Sequence, residues 1–167
     1  INKAIQFFSK AADQGLAGAQ YNLGYMYHSS EGVEKNIKKA IQYYSKAADQ
    51  GNTVAQHKLG NMYAAGEGVA KNIKKAFQYY SKASDQGNAD AQFKLGVMYE
   101  DGEGVEKNIK KAIQYYSKAA DQGYALAQFN LGYIYDDGEG VEKNIKKAIQ
   151  YYSKAADQGY AQAQFNL

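Results

Sequence analysis

The chain has 167 residues, 45% of them hydrophobic, and a formal charge of +3 that comes from Lys alone, since it holds no Arg; Cys, Pro and Trp are also missing. A disulfide framework and a Cys-based zinc site are thereby excluded. No apolar run reaches the roughly 18 residues of a membrane-spanning helix, and the redox compartment is unreadable. Lys without Arg argues against nucleic acid, because the planar fork that reads base edges and phosphates is absent. Lys35, Lys38 and Lys39 also stand beside Glu34 and Asp49, the pattern of a solvated mixed-charge surface.

In chain order, Ile1 opens inside one helical pattern that Gly15 ends, and a second pattern follows up to Ser30. Ser30 stands where later copies of this loop carry Gly, so the loop is expected to be strained or differently shaped. Asn36 then fits the cap of a helix over Ile37 to Gln50, which Gly51 terminates in the left-handed conformation. Ile37, Ala40, Ile41, Tyr44, Ala47 and Ala48 share one broad face of that helix, with Tyr43 at its edge. A face so wide suits contact with two neighbours.

The next helix is predicted over Thr53 to Ala65, with Ala55, Leu59, Met62 and Tyr63 on its inner face. Gly60 in its middle costs roughly 0.5 to 1 kcal/mol relative to Ala. The expected gain is close helix approach beside Ala47 and Ala48. Gly66-Glu67-Gly68-Val69 closes the unit, its glycines suited to positive φ and its Val to plugging the corner. From there the text repeats.

Each copy begins 36 residues after the last: 4–39, 40–75, 76–111, 112–147 and a partial copy over 148–167. A constant period of this size is the mark of a solenoid in which each unit buries its apolar side against its neighbours. One continuous domain is expected over 1–167. The words A-Q-x-x-L-G-x-M-Y at Ala55 to Tyr63, G-x-G-V, and K-N-x-x-K-A-x-x-Y-Y-x-K-A-A-x-x-G at Lys35 to Gly51 closely resemble the Sel-one-like repeat, a relative of the tetratricopeptide repeat. The resemblance implies an all-α, right-handed superhelix of helix hairpins whose first helices line a concave face. It also implies an adaptor or scaffold role. Its disulfide-stapled secreted branch is not matched, for want of Cys.

Near-identical copies act as an internal control, because a packed position has little freedom to vary. The differences cluster on one side of the first-type helix, roughly opposite Leu59 and Met62: Tyr21, His57, Phe93 and Phe129; Tyr25, Asn61, Val97 and Tyr133; His28, Ala64, Glu100 and Asp136; Ser29, Ala65, Asp101 and Asp137; and Gly18, Val54, Asp90 and Leu126. The earlier copies make this side aromatic and nearly neutral. The later ones set Phe93, Phe129 and Tyr133 among Asp90, Glu100, Asp101, Asp136 and Asp137. Aromatic anchors beside concentrated charge suit a partner peptide carrying apolar and basic side chains. The competing reading has the aromatics completing inter-unit packing and the acids keeping the surface soluble.

No catalytic constellation can be assembled. Ser45 recurs in every unit beside Lys46, as a surface position does. His28 and His57 lack any Cys or placed carboxylate to complete a metal site, and the Gly-x-Gly words lack the rest of a phosphate cradle. No cofactor is expected. A protein-interaction scaffold leads; a carbohydrate or cell-wall binding module comes second, since Tyr and Phe beside Asp, Asn and Gln also suit sugars. An RNA reader is opposed by the acidic later copies, and an enzyme comes last. Ile1 and Leu167 interrupt helices without a polar cap, which predicts a piece of a longer array or head-to-tail self-association.

Overall fold

The computed structural model describes residues 2–167, and its contacts divide the chain into two units, 1–86 and 87–167. The expectation about Ile1 lies outside the described residues. The first unit holds α1 (Asn2–Asp13), α2 (Ala17–Ser29), α3 (Ile37–Asp49), α4 (Thr53–Ala65) and α5 (Ile73–Asp85). The second holds α6 (Ala89–Asp101), α7 (Ile109–Asp121), α8 (Ala125–Asp137), α9 (Ile145–Asp157) and α10 (Ala161–Phe165). Among the described residues the structure is entirely helical, and within each unit consecutive helices pack on one another.

The helix ends follow from local chemistry. Asn36 accepts a hydrogen bond from the Lys39 amide at 2.9 Å, and Asn72, Asn108 and Asn144 do the same in their copies. These caps satisfy one of the orphan donors of the first turn. At the other end Gly51 sits at φ +84°, with its amide on the Ala48 carbonyl and the Asn52 amide on the Ala47 carbonyl, the double closure that a left-handed residue allows. Asn52 and Asn88 cap α4 and α6 through the amides of Ala55 and Ala91. Leu16, Tyr124 and Tyr160 hold the same position and make no such bond.

Ser30 adopts φ +63°, close to the +74° of Gly66 in the next copy, and its amide reaches the Met26 carbonyl as that of Gly66 reaches Met62. The loop thus keeps its shape, and a residue with a β-carbon bears the strain.

Ala40, Tyr44, Ala47, Ala48, Ala55, Leu59 and Met62 form one buried cluster; Ala112, Tyr116, Ala119, Ala120, Ala127, Leu131 and Ile134 form its counterpart in the second unit. Gly60 corrects an expectation. A β-carbon built there would lie 2.5 Å from Tyr80 Cε1, so the space is taken by a ring of the following helix and not by Ala47 or Ala48. Gly24, Gly96 and Gly132 meet Tyr44, Tyr116 and Tyr152 in the same way. The loop glycines serve a second approach: a β-carbon at Gly68 would strike Ile37 Cγ2 of the preceding hairpin at 2.1 Å.

These distances set two opposed expectations. Gly60→Ala should destabilise the chain by about 1 to 3 kcal/mol through overpacking despite its gain in helix propensity. Gly18→Ala, where no atom lies within 4 Å of the added carbon, should stabilise by about 0.5 kcal/mol. Ser30→Gly should also stabilise, by about 0.5 to 1 kcal/mol. Urea unfolding of the three variants checks all of this, and a Gly60→Ala chain as stable as its parent would contradict the ring-in-gap packing.

Candidate functional site

The varying side of the first-type helices is built by helical spacing. On α8, Leu126, Tyr133 and Asp137 recur at i, i+7 and i+11 and so fall on one stripe; on α6 the same register holds Asp90, Val97 and Asp101. Leu126 is 38% exposed and Tyr133 53%, with Asp101 and Asp137 also in solvent and Asp136 and Val97 half-buried. In the first unit the matching stripes carry Gly18, Tyr25 and Ser29 on α2 and Val54, Asn61 and Ala65 on α4. That unit is nearly free of acid on this side, and Tyr25 is 44% exposed.

The other expected aromatics are more covered. Phe93 is half-buried between Tyr116, with ring centroids 5.6 Å apart, and Tyr124, at 5.2 Å. Phe129 is held likewise between Tyr152 and Tyr160. Tyr21 tilts against Tyr44 at 5.7 Å. Each of these rings is thus partly covered by other rings of its own unit. Tyr124 Oη donates to Asp90 Oδ1 at 3.0 Å; burial first, and then this carboxylate, pushes the Tyr124 hydroxyl up to about 12.

Polar partners sort the remaining residues. His28 Nε2 lies 2.8 Å from Glu67 Oε1, a contact that holds the Glu67 carboxyl below its usual range. His57 Nε2 is 3.3 Å from Asn61 Nδ2, and Asn61 Oδ1 accepts from the Tyr80 hydroxyl at 2.8 Å. The two imidazoles are thus engaged with different neighbours. Among the described residues no group of three or more His, Cys, Asp or Glu could hold a metal ion, and no helix is long and apolar enough to cross a membrane.

Glu100 accepts a short hydrogen bond from Tyr116 Oη. Burial raises its carboxyl pKa, the Tyr116 bond opposes that, and Asp101 and Glu139 raise it further against the pull of Lys107. Lys107 itself is bonded to Glu139 at 2.7 Å. Glu100 is therefore a strut between helices α6 and α7, whereas Asp101 and Asp137 are free of such ties to a helix.

Sequence reasoning missed three features. Gln50, Gln122 and Gln158 donate at 2.7 Å to the buried Gln20, Gln92 and Gln128, and Gln20 and Gln128 donate in turn to the carbonyls of Ala12 and Ala120. On another side Tyr27 and Tyr43 stack nearly parallel with Lys39 and Lys46 over their rings, and each later hairpin repeats this. A cavity of about 350 Å³ lies there, lined by Tyr27, Val33, Glu34, Lys35, Asn36 and Lys39, none of them a predicted site residue. Third, the hydroxyls of Tyr44 and Tyr152 are buried without a hydrogen-bond partner. The recurrence of Gln-Gln and Tyr-Tyr at one register was the available signal for the first two.

Paired helices repeating on a single hairpin plan define a helical-repeat protein. The Sel1 repeat profile matches residues 1–16, 17–52, 53–88, 89–124 and 125–160, and the chain belongs to the Sel1 repeat family. In that frame α2 and α3, α4 and α5, α6 and α7, and α8 and α9 are the hairpins. The chain is similar to a protective antigen with an SLR fold from uropathogenic Escherichia coli, at 41% identity and TM-score 0.92 over 98% of this chain and 35% of that one. A Sel1 repeat protein from Oxalobacter formigenes matches at 39% identity and TM-score 0.88, over 98% and 70%. The sel1-like repeat-containing protein L21 of Acanthamoeba polyphaga mimivirus is 51% identical over 37 residues, 22% of this chain and 7% of that protein. The chain thus spans only a small part of the curated relative and about a third of the antigen. Sel1-repeat proteins generally act in protein–protein interaction and are typically non-catalytic.

The Glu100 geometry yields a pH expectation. A carboxyl whose pKa is raised on folding disfavours the ionised native state, so stability is lower above that pKa and is recovered as pH falls through it. Glu100→Gln should therefore stabilise the chain at neutral pH. It should also flatten the gain on mild acidification. Thermal unfolding from neutral to mildly acidic pH measures both, and a variant less stable than its parent at neutral pH would assign the net role to the Tyr116 bond instead.

Proposed function

We propose that this chain is an interaction scaffold that holds a segment of a partner protein against its first-type helices, with the α6 and α8 stripes as the strongest contact. The observation that carries the reading is the pairing of exposed Leu126 and Tyr133 with Asp101, Asp136 and Asp137 on one side of the second unit. Exposed apolar side chains at i and i+7 present a ready anchor for an apolar partner residue, and the acids beside them favour Lys or Arg flanking it. Phe93 and Phe129 supply ring edges from a packed base. Glu100 is committed to Tyr116 and contributes field more than contact.

The partner best suited is a short peptide with one or two large apolar residues followed by a basic run. Family membership supports the class of function, and the charge of the stripe supports the chemistry of the guest. A sugar ligand would also use the rings and the acids, but as stacking faces and hydroxyl acceptors rather than as a match for basic side chains.

A peptide of Leu, Trp and Lys titrated into the chain by calorimetry should bind more weakly as salt rises. The triple variant Asp101→Lys, Asp136→Lys, Asp137→Lys should lose about tenfold or more in affinity together with that salt dependence. Binding that is indifferent to charge reversal would remove the proposal, as would strong glycan-array signals with none on a peptide array.

A further inference from the structure

In each hairpin the second-type helix sends one fully buried Tyr toward the varying side of the first-type helix, and the repeats differ in what its hydroxyl meets. Tyr80 Oη donates to Asn61 Oδ1 at 2.8 Å, and Tyr116 Oη to the Glu100 carboxylate. Those acceptors occupy two register positions, which in the hairpin of residues 17–52 carry Tyr25 and His28. Tyr25 brings no side-chain carbonyl, and His28 Nε2 is taken by Glu67. Tyr44 Oη, shielded from solvent, is left with no partner, as is Tyr152 Oη in the hairpin of residues 125–160, where the same two positions carry Tyr133 and Asp136. A buried donor without an acceptor costs roughly 1 to 3 kcal/mol, which an acceptor arriving from outside would relieve.

We propose that the hairpin of residues 17–52 holds a subsite for an amide carbonyl oxygen of a bound protein segment, with the Tyr44 hydroxyl as its donor and Tyr21, Tyr25 and His28 as its walls. The walls are in place: the Tyr21 ring lies 5.7 Å from that of Tyr44, and the His28 ring stands edge-on at 6.2 Å. Tyr25, 44% exposed, occupies the register position from which Asn61 reaches Tyr80, and so is the side chain a guest would have to displace. An amide suits the subsite better than a carboxylate on two grounds. The Glu67 carboxylate stands 2.8 Å from His28 Nε2, behind one of the walls, and a second anion beside it would be repelled. The adjacent hairpin of the same unit already fills the equivalent place with the amide oxygen of Asn61. The inference rests on the scaffold reading above but uses other residues, in the other unit.

Two measurements on the whole chain test it. Tyr80→Phe breaks a hydrogen bond and should lower the unfolding midpoint, while Tyr44→Phe should leave the midpoint unchanged or raise it. Ring-labelled tyrosine NMR then follows titration with propionamide, standing for an Asn or Gln side chain, and with N-methylacetamide, standing for the main chain. Saturable shifts at Tyr25 and Tyr44 are expected in the parent, with affinity at Tyr25 at least about fivefold weaker in Tyr44→Phe. Whichever amide binds more tightly names the source of the carbonyl. The proposal is overturned if Tyr44→Phe destabilises as much as Tyr80→Phe, if both forms bind the amides alike, or if acetate binds more tightly than either. The lysine variants at Asp101, Asp136 and Asp137 should leave the amide titration untouched, so failure of the acidic stripe and failure of this subsite are separately visible.

Discussion

The seating of a Tyr ring where a glycine has no β-carbon is the contact on which each hairpin depends. Gly24 with Tyr44, Gly60 with Tyr80, Gly96 with Tyr116 and Gly132 with Tyr152 all bring atoms to within about 2.6 Å of where a methyl would stand. No other residue could leave that gap, and no smaller ring would fill it. The ring fixes how near the two helices lie and also how far its hydroxyl reaches. Core packing and the varying side are therefore joined through one side chain, because in Tyr80 and Tyr116 the ring that fills the core ends in an oxygen bonded to a varying residue.

Around this contact the hairpins use two sets of polar devices. The Gln pairs run through the interior, the buried amides of Gln20, Gln56 and Gln128 each accepting from one Gln and donating to a carbonyl at the end of an earlier helix. Buried amides are tolerable only when so satisfied. On the solvent side, stacked Tyr pairs take Lys ammonium groups over their faces, so charge that would otherwise be loose screens aromatic surface. Neither device changes from copy to copy, and the variation between copies is left to the opposite side of the first-type helices.

Most of the architecture was legible in the sequence. The period, the Asn36 cap, the Gly51 stop and the helix from Thr53 to Ala65 each rest on local rules that need no knowledge of the partner helix. The partner of Gly60 was not legible, since a wheel assigns a face but not the side chain that fills it. Nor was the half-burial of Phe93 and Phe129: their covers, Tyr124 and Tyr160, come 31 residues later at helix starts where Asn would be the ordinary choice. The exposed acids and Tyr133 followed from register alone. Glu100 did not, because its tie to Tyr116 depends on how far a buried ring extends. The unpartnered hydroxyls of Tyr44 and Tyr152 became visible only by setting the hairpins side by side.

The residue that starts each first-type helix has one place and two incompatible uses. Asn52 and Asn88 spend it on the amide of the third residue in, worth about 1 kcal/mol to the helix. Tyr124 and Tyr160 give up that bond and lay a ring across the phenyl group of the hairpin before. A repeat array of this kind can therefore open or roof an aromatic patch by exchanging a single side chain at a helix threshold, at a cost small enough for the fold to absorb and without altering the length or phase of any unit.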